Sequence, residues 1–216
     1  MMRTSLTWLS VLLVLSACSS PPKSSTEPVA PTGANLRGRT LIVDAGHGGD
    51  QPGAVAVDGT LEKDVNRRIA DRLRAELQSR GAQVIESRPG DRSVSLDERA
   101  ALADRVSCDL FVSVHADAST STSPNGATVY IARGAYPTSR SVGGAIEARL
   151  SQAGLVSRGV REAGFRVLMG HNRPSVLVEC GFLTNPGDRA LLLTPDHQDR
   201  VARAIADGIT DILGQR

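Results

Sequence analysis

Residues 109–117 read DLFVSVHAD, and the fold class can be inferred from this stretch. Residues 110–114 form a short, almost unbroken apolar run, and His115 follows at once. A strand with one face in water alternates apolar and polar residues, whereas a strand of a parallel sheet is buried on both faces and reads as continuously apolar. The stretch therefore predicts an inner strand of a parallel sheet with a histidine at its carboxyl end.

Apolar runs and helical patterns alternate on both sides of this strand. Further strands are predicted at residues 40–43, 83–86, 128–131, 165–168 and 176–178. Helices are predicted at residues 61–79, 95–106, 141–153 and 195–213. Ser95 and Glu98 have capping-box spacing at the start of the second helix. The alternation predicts an α/β fold: a single domain with a mostly parallel, twisted sheet and helices on both faces.

Composition and charge narrow the functional classes. The 216 residues are 40% hydrophobic, 22% charged and 3% aromatic, which is a globular composition. The net charge of +2 is too small for the basic surface that nucleic-acid binding requires, so no nucleic-acid partner is expected. The three cysteines, Cys18, Cys108 and Cys180, are too few and too widely spaced for a disulfide scaffold or a four-thiolate zinc site. A metal site would have to use histidine and carboxylate.

The first residues have the pattern of a secretion signal. Residues 1–17 carry one charge before an apolar run of about ten residues, whereas a membrane-spanning helix needs roughly 20. Residues 15–18, LSAC, resemble the bacterial lipoprotein signal, in which cleavage precedes the cysteine. This implies a lipid on Cys18 and a periplasmic protein, and Ser19 favours the outer membrane because inner-membrane lipoproteins commonly carry Asp there. A plain secreted protein is the alternative.

Residues 18–36 are predicted to form the lipidated cysteine and a flexible tether. They are rich in Ser, Pro and Thr and contain almost no large apolar groups, so they cannot bury enough surface to offset the entropy of ordering. The catalytic domain is then predicted over residues 37–216. A stretched tether reaches at most roughly 60 Å, so the domain and its substrate should lie close to the membrane.

Four polar residues stand at the predicted edge of the sheet. His47 and His115 follow two strands, Glu179 follows a third, and Glu62 opens the first long helix. Ligands of such sheets bind beyond the carboxyl ends of the strands. Two neutral imidazoles and one carboxylate form a zinc site with an open position, and a further carboxylate can act as general base. Taken singly, each histidine could be an ordinary hydrogen-bonded group, and Glu62 could merely complement the helix dipole.

Six segments that contain these residues occur in order over residues 41–188: LIVDAGHGGDQPGA, EKDVN, RSVSLDERAALAD, DLFVSVHAD, RGVREAGFRVL and PSVLVECGFLTNPGD. Together they resemble the zinc-dependent N-acetylmuramoyl-L-alanine amidases that cut bacterial peptidoglycan. The resemblance implies that His47, Glu62 and His115 bind one Zn²⁺ ion, that Glu179 is catalytic, and that the sheet has six strands. The implied reaction is hydrolysis of the amide between N-acetylmuramic acid and the L-alanine of the stem peptide.

Some relatives carry a helical insertion after the second histidine that blocks the zinc until an activator binds. Residues 116–127 are instead a short Ser/Thr-rich stretch, so we expect an unblocked site and constitutive activity. Whether an activator protein exists stays open, and we expect a monomer. The alternative functions are a zinc peptidase or deacetylase acting on the cell wall, or a non-catalytic peptidoglycan-binding lipoprotein.

Several residues have a second interpretation. Cys180 next to Glu179 could be a nucleophile with His171 or His115 as base, but adjacent strand residues face opposite ways, so a buried thiol is predicted. His171 could line the cleft, although a surface-loop histidine is the simpler interpretation, and His197 is predicted to be solvated. Arg158 and Arg161 could meet the acidic stem peptide, or they could be ordinary solvated charges.

Overall fold

The computed structural model describes residues 35–214. The predicted signal, Cys18 and the tether as far as residue 34 lie outside this range. Leu36, which the sequence analysis places at the end of the tether, is fully buried in the core, and its N–H donates to the Arg80 carbonyl at 2.8 Å. The folded part thus takes in the last residues of that segment. Within the described range, no helix is both long enough and apolar enough to cross a membrane.

Six strands and six helices are present in this range. The strands are β1 (Thr40–Ala45), β2 (Gln83–Glu86), β3 (Leu110–Asp117), β4 (Ala127–Ala132), β5 (Ser157–Ala163) and β6 (Ser175–Phe182). The helices are α1 (Glu62–Ser79), α2 (Leu96–Arg105), α3 (Pro137–Gln152), α4 (Arg166–Met169), α5 (Pro186–Leu192) and α6 (Pro195–Leu213).

The strands form one six-stranded sheet in the order β2-β1-β3-β6-β4-β5. Neighbouring strands are parallel except β4 and β6, which are antiparallel. Strand β6 is buried along its whole length and β3 nearly so, as expected for inner strands that are covered on both faces. The predicted α/β fold with a mostly parallel sheet is confirmed.

The two faces of the sheet carry separate apolar clusters. The larger cluster joins alternate residues of β1, β3, β4 and β6 to apolar side chains of α1, α3 and α6. The smaller one joins Ile42, Phe111 and Leu177 to side chains of α2 and α4. Because side chains alternate along a strand, the next residue of β6 on the smaller face is Glu179. The apolar packing of this face therefore gives way to polar groups toward the carboxyl ends of β1, β3 and β6.

Local signals place most of the helix ends. The Ser95 side chain accepts a hydrogen bond from the Glu98 backbone N–H and the Glu98 side chain accepts one from the Ser95 N–H, so the predicted capping box is confirmed. Helix α6 begins at Pro195. Proline is favourable in the first turn, because the N–H that it lacks would have no partner within the helix. Helix α1 buries the apolar side chains of Val65, Ile69, Leu73 and Leu77 against the sheet.

The predicted strand at residues 165–168 is wrong. The fifth strand is β5, and Arg166–Met169 forms the short helix α4, which packs against α2. The reason is that β5 is an edge strand with exposed residues at positions 160–162, so it shows no apolar run. Val167 and Leu168 are apolar because α4 buries them. Helix α5, capped by the Asn185 side chain, was not predicted.

Candidate metal centre and active site

His47 lies on the turn that follows β1. Its backbone φ is +60°, which is uncommon for a residue with a side chain, and Gly48 and Gly49 also have positive φ. A Cβ on Gly46 would come within 2.2 Å of the His115 ring, so only glycine fits there. The glycines at 46, 48 and 49 thus let the chain turn sharply and bring His47 beside His115.

Glu62, the first residue of α1, joins the two histidines. Its Oε2 lies 3.1 Å from His47 Nε2 and its Oε1 lies 2.9 Å from His115 Nδ1. The Ala54 N–H donates to Oε2 at 2.9 Å and the Asn66 side-chain amide donates to Oε1 at 3.1 Å. Burial by itself would raise the pKa of Glu62, but hydrogen bonds with His115 and His47 outweigh it and lower the pKa. Glu62 is therefore held as a carboxylate.

These three side chains fit a zinc ion. One potential ligand atom from each of His47, Glu62 and His115 lies within 4.8 Å of the others, and this is the one such cluster in the range 35–214. The two rings meet edge to face, with centroids 5.0 Å apart. Two imidazoles and a carboxylate are the donor set of hydrolytic zinc sites, and they leave one position open. The predicted ligand residues thus lie together, with the chemistry that the ion requires.

Glu179 lies beside this cluster. In the β3–β6 pairing it is aligned with His115, so the two side chains leave the same face of the sheet. Only 9% of Glu179 is exposed, and its Oε2 has no hydrogen-bond partner among the described residues. Burial, followed by the charges of Asp117 and Glu62, raises its pKa well above the usual value. A buried carboxyl group with an unsatisfied oxygen is costly to stability, which favours a functional role.

The cluster opens into a cleft of about 400 Å³. His47, His115 and Glu179 line its polar end, and the rest of the lining includes Leu96, Phe165, Arg166, Val167 and Leu177. Residues 118–126 connect β3 to β4 without a helix, in agreement with the short Ser/Thr-rich sequence. His47, His115 and Glu179 therefore line one open cleft, and Glu62 contacts both histidines.

Two buried arginines, which are not among the predicted site residues, lie beneath the His47 turn. Arg99 pairs with Asp44 at 2.7 Å and donates to the backbone carbonyls of Ala45 at 2.8 Å and His47 at 2.5 Å. Arg88 donates to the Ala45 carbonyl at 3.0 Å and to the Lys63 carbonyl at 3.1 Å. The two guanidinium groups thus connect the His47 turn to α2 and to the start of α1.

Asp44 is the acidic partner in this buried network. It is fully buried, and besides Arg99 its carboxylate accepts hydrogen bonds from the hydroxyls of Ser113, at 2.6 Å, and Ser87. Burial would raise its pKa, but the charge of Arg99 and these hydroxyls lower it. A sequence signal existed: Asp44 is an acid inside an apolar strand, and Arg99 shares a helix face with the small residues Ala100 and Ala103.

The remaining histidines are not part of the cleft. His171 is buried and its ring packs 5.3 Å from that of Phe111, so it is neither on the surface nor among the cleft-lining residues. His197 is also buried, so the prediction that it is solvated is wrong. Burial lowers the pKa of both groups. His197 lies in the first turn of α6 and lines a small pocket together with Cys180 and Asp188, and its polar neighbours in sequence do not indicate this burial.

The two cysteines of the domain are buried free thiols, as predicted for Cys180. They belong to apolar clusters on opposite faces of the sheet, so they do not pair with each other. Burial raises the pKa of Cys108 to about 11 and also raises that of Cys180. The nucleophile interpretation of Cys180 is not supported, because a reactive cysteine needs an accessible thiolate.

In a Cys18→Ser variant, which retains only these two thiols, we expect a negligible reaction with a thiol-specific dye at neutral pH in the native state. Unfolding in guanidinium should expose both thiols and give two equivalents of dye. The measurement is the absorbance of the released chromophore before and after unfolding. Fast labelling of the native protein would contradict the burial of Cys108 and Cys180.

The chain is similar to known proteins in both sequence and structure. Residues 41–211 match the family model described as N-acetylmuramoyl-L-alanine amidase. The chain is 34% identical to YqiI of Bacillus subtilis (strain 168), over 87% of this chain and 91% of that protein. It is 40% identical to the N-acetylmuramoyl-L-alanine amidase LytC of the same organism, over 79% of this chain but only 35% of LytC. The crystal structure of an N-acetylmuramoyl-L-alanine amidase from Clostridium difficile 630 superposes with a TM-score of 0.78 at 32% identity, and covers 81% of this chain and 96% of that one.

Proposed function

Because the chain belongs to the N-acetylmuramoyl-L-alanine amidase family, we propose that it hydrolyses the amide bond between N-acetylmuramic acid and L-alanine in peptidoglycan. His47, Glu62 and His115 would hold one Zn²⁺ ion, and Glu179 would act as the general base. The observation that carries the proposal is the cluster of three potential ligand atoms within 4.8 Å, with a spare buried carboxyl group beside it.

Different side chains of the chain would position the metal ligands and transfer the proton. Glu62 sets the positions of both imidazoles through its two oxygens, while Asn66 and the Ala54 N–H orient Glu62 in turn. When bound, zinc supplies Lewis-acid chemistry that polarises a carbonyl and makes water nucleophilic at neutral pH. Glu179 takes the proton of the attacking water and delivers it to the amide nitrogen as the C–N bond breaks. The products are the lactyl carboxylate of the sugar and a free α-amine on L-alanine, and no covalent intermediate is needed.

The family membership supports an extracytoplasmic location, because peptidoglycan is outside the cytoplasm. We further propose that Cys18 carries a lipid and that residues 19–34 tether the domain, which would place it in the periplasm at the outer membrane. The absence of a helix in residues 118–126 supports an enzyme that is active without removal of a blocking segment, and we propose that it works as a monomer.

Product identification tests the proposed bond. The full chain is incubated with purified peptidoglycan and the soluble products are analysed by mass spectrometry. We expect free stem peptides that begin with L-alanine, together with glycan chains whose lactyl groups carry a carboxylate. Cleavage inside the stem peptide would identify a peptidase instead, and loss of acetyl groups would identify a deacetylase. Binding without any product would indicate a non-catalytic cell-wall protein.

Metal removal tests the proposed cofactor. We expect about one zinc per chain by elemental analysis, loss of hydrolysis after dialysis against a chelator, and recovery when zinc is added back. The control is a His47→Ala/His115→Ala double variant, which should contain no zinc and should not recover. An active protein that contains no metal would contradict the assignment of all three ligands.

A further inference from the structure

The face of the sheet that bears Glu179 continues onto β4. In the antiparallel pairing of β4 and β6, Thr128 lies opposite Glu179 and Tyr130 lies opposite Leu177. Paired residues project from the same face of a sheet, so Thr128 and Tyr130 continue this face away from the two histidines. The Tyr130 ring packs against Phe165, a cleft-lining residue, with ring centroids 5.1 Å apart. The sheet therefore forms a floor beside the cleft, on the side of Glu179 that lies away from the histidines.

Strand β5 adds two arginines to this floor. Arg161 is exposed and aligned with Tyr130 in the parallel pairing of β4 and β5, so it leaves the same face. The pKa of Tyr130 is raised first by burial and then by the charge of Asp117, while the charge of Arg161 and a hydrogen bond with it act in the opposite direction. The register alone places the Tyr130 and Arg161 side chains next to each other on this face. Arg158 stacks over the Phe182 ring at 5.3 Å and donates to the Asn125 carbonyl at 3.2 Å.

Neither of these two arginines is held in an ion pair among the described residues, although the charge of Arg158 acts on Asp117 to lower the pKa of that carboxyl. Glu162, the next residue of β5, pairs with Arg140 at 2.7 Å. Arginine presents donors in a planar fork that suits a carboxylate, and such a contact is stronger than a neutral hydrogen bond. An anionic group of the substrate is the occupant that this arrangement fits.

The distance along the sheet suits the peptide part of the substrate. Strand β5 is two strands from β6, and neighbouring strands are about 4.8 Å apart. Arg161 of β5 therefore lies roughly 10 Å across the sheet from β6, the strand that contains Glu179. An extended peptide covers about 3.3–3.6 Å per residue, so two or three residues beyond the cleaved amide would reach it. The stem peptide carries carboxylates at this spacing, whereas the N-acetylated glycan is uncharged.

We propose that Tyr130 and Arg161, with Arg158 beside them, form a subsite for a free carboxylate of the stem peptide. This inference rests on the proposed amidase function and adds the orientation of the bound substrate. The peptide runs over β4 and β5, and the glycan lies on the side of His47. The enzyme should then prefer stem peptides whose second, acidic residue keeps its carboxylate over those in which it is a carboxamide.

The test compares two muramoyl peptides that differ only in this group. The measured quantity is kcat/KM for the carboxylate substrate divided by kcat/KM for the carboxamide. For the full chain the ratio should exceed one, and Arg161→Gln should lower it by about tenfold, because the contact that is lost is charge-assisted. Tyr130→Phe, which keeps the packing on Phe165, should lower it by less. Arg68→Gln, which removes an exposed arginine on α1, is the matched control and should leave the ratio unchanged.

The outcomes separate the two ideas. An unchanged ratio in Arg161→Gln, or an equal loss for both substrates, would overturn the subsite while the amidase function stands. If the unmodified chain releases no stem peptide from either substrate, the amidase function itself fails. Circular dichroism of each variant shows whether the fold is retained, and Tyr130→Phe supplies a second, conservative measurement if Arg161→Gln does not fold.

Discussion

Replacing Glu179 with glutamine is expected to slow amide hydrolysis by about 10²–10⁴-fold, the usual contribution of a general base. Glutamine keeps the shape of the side chain but cannot accept the proton of the attacking water. The three ligand residues remain, so the zinc content should stay near that of the unmodified chain. Stem-peptide release measured by chromatography, together with zinc per chain by elemental analysis, checks both halves of the prediction.

Asp117→Asn is the matched control for this variant. Asp117 is a half-buried carboxylate on β3, the strand that pairs with the Glu179 strand β6. Its charge contributes to the raised pKa of Glu179. Its own carboxylate accepts a hydrogen bond from the Ala118 N–H at 2.7 Å. Removing it changes the local charge by the same amount but leaves the base in place, so the rate should change by less than about tenfold. If Glu179→Gln keeps full activity, another group must move the proton.

The sheet and the residues of the candidate site could be predicted because both follow from short-range patterns. Inner strands such as β3 read as apolar runs, and the carboxyl ends of parallel strands meet at one edge. His115 and Glu179 stand in such strands, so their proximity follows from topology alone. The exact strand ends did not follow, because β3 and β6 continue through these residues to Asp117 and Phe182.

What the sequence could not predict depends on contacts between distant segments. Strand β5 has one neighbour and solvent on its other edge, so its residues need not be apolar. His197 is buried and lines a small pocket with Gly126, which precedes β4, and with Asp188 and Leu191 of α5, and its own helix indicates none of these neighbours. The pair of Asp44 and Arg99 joins residues that are 55 positions apart, so the pattern of β1 can indicate a buried acid but not its partner.

Asp44→Asn is expected to destabilise the domain by about 3–5 kcal/mol, the cost of leaving one charge of a buried pair without its partner. Asparagine has almost the same shape, so the loss reports on charge and hydrogen bonding instead of on a cavity. Because the folded pKa of Asp44 is lowered, its contribution is present above the unfolded pKa of about 4 and disappears as the pH falls through the folded value. Urea unfolding at neutral pH measures the free energy of unfolding.

The Arg99→Lys variant tests whether Arg99 positions the His47 turn for zinc binding or only stabilises the fold. Lysine keeps the positive charge near Asp44, but it cannot donate at the same time to the carbonyls of Val94, Ala45 and His47. His47 would then be less well held in its left-handed conformation, and zinc affinity should fall by about 10–100-fold, as for other residues that orient metal ligands. Competition with a chromophoric chelator measures the affinity without any need for catalysis.

A control for this variant is available on the other side of the sheet. Arg149 forms a two-pronged pair with Asp211 between α3 and α6, with both contacts at 2.7 Å and both side chains more than a third exposed. Arg149→Lys removes the same fork geometry at the surface, so it should change stability by less than about 1 kcal/mol and leave zinc affinity unaltered. If Arg99→Lys binds zinc as tightly as this control, the guanidinium of Arg99 serves the fold and does not position His47.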